Sequence, residues 1–141
     1  MHDQVQVAGN RARFVFERLQ HATLARDPQI AELFAADGVI EWPFARPGAP
    51  NRIVGQAAIR SLYTTWIGAP PLEYQTFTAT VVHETINPDI IVVEYDIHGV
   101  ATSSRTPFQL SVIRTIRVKD GHIVLLREYM NPLAMTEALN R

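Results

Sequence analysis

Apolar and polar positions change their rhythm once along this chain, and that change divides the prediction. Near the start, Ala12, Val15, Phe16, Leu19, Ala22 and Thr23 recur at steps of three and four, with Arg11, Arg18 and Arg26 mostly off that stripe. This is the spacing of one buried helix face. Asp27-Pro28 reads as an N-cap followed by a first-turn proline, predicting a second short helix over Gln29–Ala36 that ends at Asp37-Gly38. A short strand, Val39–Trp42, stops at Pro43, and the proline- and glycine-bearing stretch Ala45–Arg52 reads as a loop. A third helix is predicted from Gln56 to Ile67, with Ile59, Leu62, Tyr63 and Trp66 on one stripe and a break at Gly68-Ala69-Pro70-Pro71.

Beyond that break the period becomes two. Strands are predicted at 73–84, 90–101, 107–118 and 123–131, turning at Asn87-Pro88-Asp89, Thr102-Ser103-Ser104 and Lys119-Asp120-Gly121. A last short helix covers Pro132–Leu139. Helices followed by a meander of long strands predict an α+β fold. Its curved, mostly antiparallel sheet would wrap around the N-terminal helices and leave a cone between them, a place where small ligands bind.

Composition narrows the classes. The 141 residues are one domain's worth of chain. The net charge of −1, with no run of like charge, lacks the electrostatic footprint of a nucleic-acid binder or a polybasic membrane anchor. Without cysteine there are no disulfides, thiolate metal sites or thiol nucleophiles, which fits a reducing compartment. The start, Met1-His2-Asp3-Gln4, lacks the pattern of a signal peptide, and no apolar run approaches the ~20 residues of a membrane span. The expectation is one cytoplasmic domain over residues 1–141, with no membrane or nucleic-acid partner. The histidines (His2, His21, His83, His98, His122) are scattered, and neither a metal nor any other cofactor is expected.

Candidate chemistry lies on the strands. Alternation places Val124, Leu126, Glu128 and Met130 on one face of the last strand. A carboxyl among apolar neighbours suits general acid–base work. Alternatively, Glu128 is a sheet-edge carboxylate paired with Arg127 or with Arg114 across a strand. In 90–101, Glu94, Asp96 and His98 share one face and Ile91, Val93, Tyr95 and Ile97 the other; the polar three are either a pocket wall or a solvated outer face. Arg114 is the one charge on a face otherwise made of Phe108, Leu110, Val112, Ile116 and Val118, so it calls for a carboxylate partner, Glu128 or Asp96. Trp42, Phe44, Tyr63 and Trp66 gather near the strand–loop–helix corner, as core or as the wall of a pocket for a flat ring.

Three segments carry a family resemblance. Residues 33–43, with Ala36-Asp37-Gly38-Val39-Ile40-Glu41-Trp42-Pro43, resemble the helix-to-strand entry of the nuclear transport factor 2-like superfamily, which includes ketosteroid isomerases and SnoaL-like polyketide cyclases. Gly55-Gln56-Ala57-Ala58-Ile59 resembles the start of their third helix, and Lys119-Asp120-Gly121-His122-Ile123 their last hairpin. Val93-Glu94-Tyr95-Asp96, Gly99 and above all Arg127-Glu128-Tyr129-Met130-Asn131-Pro132 are similar to segments of the phenazine biosynthesis PhzA/PhzB family. The resemblance runs over most of 10–135. It implies a cystatin-like α+β barrel, an acid–base role for Glu128 and a homodimer, for which the Ile91, Val93, Tyr95, Ile97 face is one candidate.

The departures are equally specific. The ketosteroid isomerase catalytic aspartate falls on Trp42 and the oxyanion-hole acid near Arg114, so the usual steroid-isomerase dyad is missing. Members like limonene epoxide hydrolase use an arginine–aspartate pair and a second aspartate. Asp96 and Glu128 match the acid positions, but Glu94 stands at the arginine. Around Ser61 and Thr65 there is no histidine of the phenazine type. The leading expectation is cofactor-free acid–base chemistry (isomerisation, cyclisation or condensation) on a conjugated carbonyl compound of secondary metabolism. Glu128 would be the acid–base group, Asp96 and His98 its relay, and Arg114 its orienter. Trp42, Phe44, Tyr63, Trp66, Glu94, Val112 and Met130 would bind a small apolar or aromatic molecule. A non-catalytic ligand-binding dimer and an epoxide hydrolase are the alternatives.

Overall fold

A computed structural model describes residues 11–140. The readings placed on Met1–Gln4 and His2 lie outside this range. Helix α1 (Arg11–Ala25) buries Ala12, Val15, Phe16, Leu19, Ala22 and Thr23, the stripe its spacing predicts. Helix α2 spans Gln56–Gly68 and helix α3 spans Pro132–Leu139. The strands are β1 (Phe34–Glu41), β2 (Arg52–Val54), β3 (Leu72–Glu84), β4 (Ile90–Ala101), β5 (Pro107–Lys119) and β6 (His122–Met130). They form one open sheet of six strands in the order β2-β1-β6-β5-β4-β3. Every pairing is antiparallel except β1 with β6.

Two local predictions give way to long-range pairing. The expected helix over Gln29–Ala36 survives only as a single 3₁₀ turn, Ile30–Leu33. Its N-cap position falls on Gln29 rather than on the expected Asp27, whose Oδ1 accepts from the Gln29 N–H at 2.9 Å just ahead of the turn. The backbone then leaves helical geometry because Phe34 pairs with Ile123 of β6, and eight residues from Phe34 become strand. A central sheet position gains more than another helical turn would. From the last residue of the predicted loop onward, Arg52–Val54 pairs with β1 as a short edge strand.

The inner face of the sheet is apolar and carries the helices. Ile91, Val93, Tyr95 and Ile97 of β4 are all buried in it, as are Phe108, Leu110, Val112, Ile116 and Val118 of β5. The β4 face considered for dimerisation is therefore core within a single chain. Aromatic rings run across it, with centroids 6.0 Å apart from Phe16 to Tyr95, 5.0 Å from Tyr95 to Phe77, 6.5 Å from Phe77 to Tyr74 and 5.1 Å from Tyr74 to Trp66. These are the spacings of tilted and edge-on ring contacts. A register shift on β6 leaves Val124 as an extra residue, because Val118 pairs with Ile123 while Arg117 pairs with Leu125. The bulge moves Ile123 rather than Val124 onto the buried face in line with Leu126, Glu128 and Met130. No helix among the described residues is long and apolar enough to cross a membrane.

Candidate functional site

Between the sheet and helices α2 and α3 lies a cavity of about 380 Å³. This is within the size range of small-molecule sites. Its deep wall is apolar, with Ile40, Leu72 and Leu126 all buried. Helix α2 adds Leu62, Tyr63 and Trp66, and helix α3 adds Met135 and Leu139. Asn131 fixes the start of α3, its Oδ1 accepting from the Leu133 N–H at 2.9 Å and the Ala134 N–H at 3.4 Å. Pro132 then occupies the first turn, where a missing N–H costs nothing.

Two charged side chains face each other inside this wall. Arg114 on β5 and Glu128 on β6 are directly opposite in the antiparallel register. Arg114 donates to one carboxylate oxygen, Glu128 Oε2, from Nε at 2.7 Å and from Nη2 at 2.6 Å. The side chains are 12% and 11% exposed. The other oxygen, Oε1, accepts among the described residues only from Trp42 Nε1 at 3.3 Å, a long bond. Trp42 reaches it because β1 runs parallel beside β6, with Glu41 level with Arg127. Among the described residues no other acceptor takes the remaining guanidinium N–H groups of Arg114. Its central carbon sits 5.7 Å from the Tyr95 ring centroid, a cation–π distance.

Electrostatics keeps the phenols here neutral. Burial pushes the Tyr63 hydroxyl up to about 12, partly offset by the Arg114 charge and reinforced by Glu128. Tyr74 and Tyr95 are raised further, again chiefly by burial. For Arg114, burial works against the charge, but Glu128 together with Tyr95 and Tyr63 more than offsets it, and the guanidinium stands above its ordinary value. The site offers neutral O–H donors, a fixed cation and one carboxylate.

The predicted residues divide between the two faces of the sheet. Glu128, Arg114, Trp42, Phe44, Tyr63, Trp66 and Met130 line the cavity. Val112 shares the inner face but is packed into the core, 2% exposed, and does not line the cavity. Glu94, Asp96 and His98 stand on the outer face, which corrects the expected pocket wall. There Glu94 meets His83 Nε2 at 2.7 Å, Asp96 accepts from Ser111 Oγ at 2.7 Å, and His98 meets Thr78 Oγ1 at 2.7 Å. The reason lies in β4 itself, because burying Ile91, Val93, Tyr95 and Ile97 sends the alternate residues outward. Asp96 and His98 therefore cannot relay protons to Glu128, and Asp96 cannot serve as the second acid of an epoxide hydrolase in this cavity. Arg127 also points away from the pair, donating from Nε to Glu41 Oε1 at 2.9 Å.

Several liners were not anticipated. Tyr74 and Leu72 follow from simple alternation along β3. Arg46 lies in a loop, where no periodicity marks it, and Met135 and Leu139 belong to a helix too short to read a face from.

Comparison with known proteins agrees with this fold. An uncharacterised PhzA/B-like protein of Pseudomonas aeruginosa is 35% identical over 108 residues, covering 77% of this chain and 74% of its own. A Bacillus subtilis crystal structure, whose assignment as an isomerase is itself provisional, superposes with a TM-score of 0.83 at 30% identity, covering 92% of this chain and 93% of the other. A Mycobacterium tuberculosis protein in complex with estradiol-17β-hemisuccinate shares the fold, with a TM-score of 0.73 at 22% identity over 86% of this chain and 95% of the other. The SnoaL-like domain model matches residues 12–126, and the chain belongs to the SnoaL-like family.

Proposed function

We propose that this protein binds a flat, largely apolar carbonyl compound in the cavity and moves a proton on it, using Glu128 without a cofactor. The observation that carries the reading is the Arg114–Glu128 pair, the sole carboxylate among the described cavity-lining residues and its nearly buried cation, set in a mostly apolar wall. Arg114 holds Oε2 with two short bonds and leaves Oε1 to a single long one from Trp42. Oε1 is therefore the atom that gives up its partner most cheaply to a substrate C–H or O–H. As Oε1 accepts a proton from carbon next to a carbonyl, negative charge develops on the carbonyl oxygen. The spare N–H groups of Arg114 and the protonated Tyr63 hydroxyl are the donors available to that oxygen. Return of the proton to another carbon gives isomerisation, and attack of the enolate within the same molecule gives cyclisation.

Ring-shaped ligands fit the walls. Trp42, Tyr63, Trp66 and Tyr74 present aromatic surface, and a protein of the same fold holds a steroid ester. The test is a thermal-shift screen of wild type and Glu128→Gln against cyclic ketones, aromatic acids, polyketide-like phenols and epoxides, followed by turnover on the hits. A ligand at 100 times its dissociation constant stabilises by about 2.7 kcal/mol, a shift of several degrees. Turnover should fall by at least ~100-fold in Glu128→Gln with binding retained. Full turnover in that variant overturns the acid–base role, and binding indifferent to it with no turnover in wild type identifies a carrier.

A further inference from the structure

One charged group on the cavity wall has no part in the chemistry above. Arg46 lines the cavity and is half-buried, yet among the described residues its guanidinium has neither an ion pair nor a hydrogen bond. Its neighbours on the wall from the same loop, Phe44, Ala45, Ala49 and Pro50, are apolar. Arg114 is already matched by Glu128. The formal charge lining the cavity is thus +1, from Arg114, Glu128 and Arg46, in a chain whose total is −1. The surplus positive charge sits in the cavity, against the sign of the whole molecule.

The loop holds this arginine firmly. Its carbonyl accepts from the Ala49 N–H at 3.0 Å across Pro47-Gly48, with Gly48 at φ +83°. Proline then glycine with positive φ is the pattern of a type II turn, and only glycine takes that φ without strain. The loop base is pinned by the Trp42 N–H donating to the Asn51 carbonyl at 2.9 Å and the Ala45 N–H to the Trp42 carbonyl at 3.1 Å. The same Trp42 touches Glu128, so Arg46 has a fixed backbone relation to the inner pair. Phe44 and Pro50 beside it are exposed, which puts Arg46 at the mouth, whereas the Arg114–Glu128 pair is nearly buried.

We propose that Arg46 is an anion site at the cavity mouth. The ligand is then a compound with an apolar ring body, an oxygen at its inner end for Arg114 and Glu128, and a carboxylate or comparable oxyanion at its outer end. A guanidinium binds such a group through parallel N–H···O bonds, which supply orientation as well as affinity. This inference rests on the small-molecule reading of the cavity and deepens it by naming the ligand class.

Both tryptophans of the chain, Trp42 and Trp66, line the cavity, so intrinsic fluorescence reports its occupancy. Two matched pairs serve as probes: 6-hydroxy-2-naphthoate with its methyl ester, and estradiol-17β-hemisuccinate with estradiol. Wild type should bind the anionic member of at least one pair about tenfold more tightly, with the preference shrinking in high salt. Arg46→Gln should abolish the preference while leaving the neutral member's affinity unchanged, and Arg46→Lys should keep part of it. Equal affinity for both members in wild type overturns the anion site and leaves the cavity reading standing. A preference that survives in Arg46→Gln also overturns it and points to Arg114 as the anion's partner. Failure of all four probes to bind wild type overturns the cavity reading, and the anion site with it.

Discussion

Removing one half of the Arg114–Glu128 pair tests whether the site is as desolvated as its geometry implies. In Arg114→Met the Glu128 carboxylate keeps, among the described residues, only the 3.3 Å bond from Trp42, on a side chain that is 11% exposed in the intact pair. Breaking a buried pair from one side costs about 3–5 kcal/mol, because the remaining charge is left unmatched. Water entering the cavity offsets part of this, so a loss of about 2–4 kcal/mol is expected. For 141 residues, an unfolding entropy of about 2.1 cal/mol/K per residue gives roughly 0.3 kcal/mol/K. The melting temperature should then fall by about 7–13 °C in a calorimetric or circular-dichroism melt. Arg114→Met combined with Glu128→Leu removes both charges and replaces them with side chains of similar shape. It should regain at least half of that loss, giving a coupling energy above about 1.5 kcal/mol in the double-mutant cycle. A single variant melting within 2 °C of wild type, on the order of 0.5 kcal/mol, would refute the claim that the pair is desolvated. A double variant that simply adds the two single losses would refute the claim that the two residues act as a unit.

Other perturbations probe the frame around that pair. Gly99→Ala would bring a Cβ to 1.9 Å from the Glu73 carbonyl oxygen, a backbone clash between β3 and β4, and should destabilise by on the order of 3 kcal/mol in urea unfolding. Asn131→Ala removes the cap of α3 and should cost about 1 kcal/mol, along with weaker ligand binding through Met135 and Leu139. Asp96→Asn and His98→Gln, on the outer face, should leave ligand-induced thermal shifts and turnover at wild-type levels; a clear loss in either would return the outer face to the site. At high pH the phenols of the cavity wall and inner sheet face set the limit. Tyr63 rises from an ordinary value near 10 to about 12, so the folded chain holds its proton when the unfolded chain has lost it, and stability falls as pH rises through that window. Tyr74 and Tyr95 are displaced in the same direction, so tyrosinate absorbance should rise together with loss of near-ultraviolet dichroism. Tyrosinate formation by all of them near pH 10 in a still-folded protein would contradict their burial.

Much of this architecture is written locally. The α1 stripe reaches the core residue for residue because a helix face is set by spacing alone. The long strands β3 to β6 lie within a residue or two of their predicted ends, since turn residues and alternation mark them without reference to the rest of the chain. Pro132–Leu139 matches because its cap and first-turn proline are neighbours in sequence. Arg114 and Glu128 could be placed on apolar strand faces by the same rule, and so could be recognised as candidates for each other.

Local rules fail where the deciding partner is distant in sequence. Residues from Phe34 onward are strand because β6 lies beside them, and Trp42 meets Glu128 across 86 positions through that same parallel contact. The bulge at Val124, invisible to strict alternation, decides which residues of β6 face inward. On β4 the sequence determined two faces, one apolar and one bearing Glu94, Asp96 and His98, but the cavity's side was settled by where the helices pack. A period of two carries no sign of its own. The burial of Tyr95 and its neighbours supplies that sign, and it leaves Glu128 as the carboxylate that shares the cavity with Arg114, while the β4 acids and histidine turn to the opposite face.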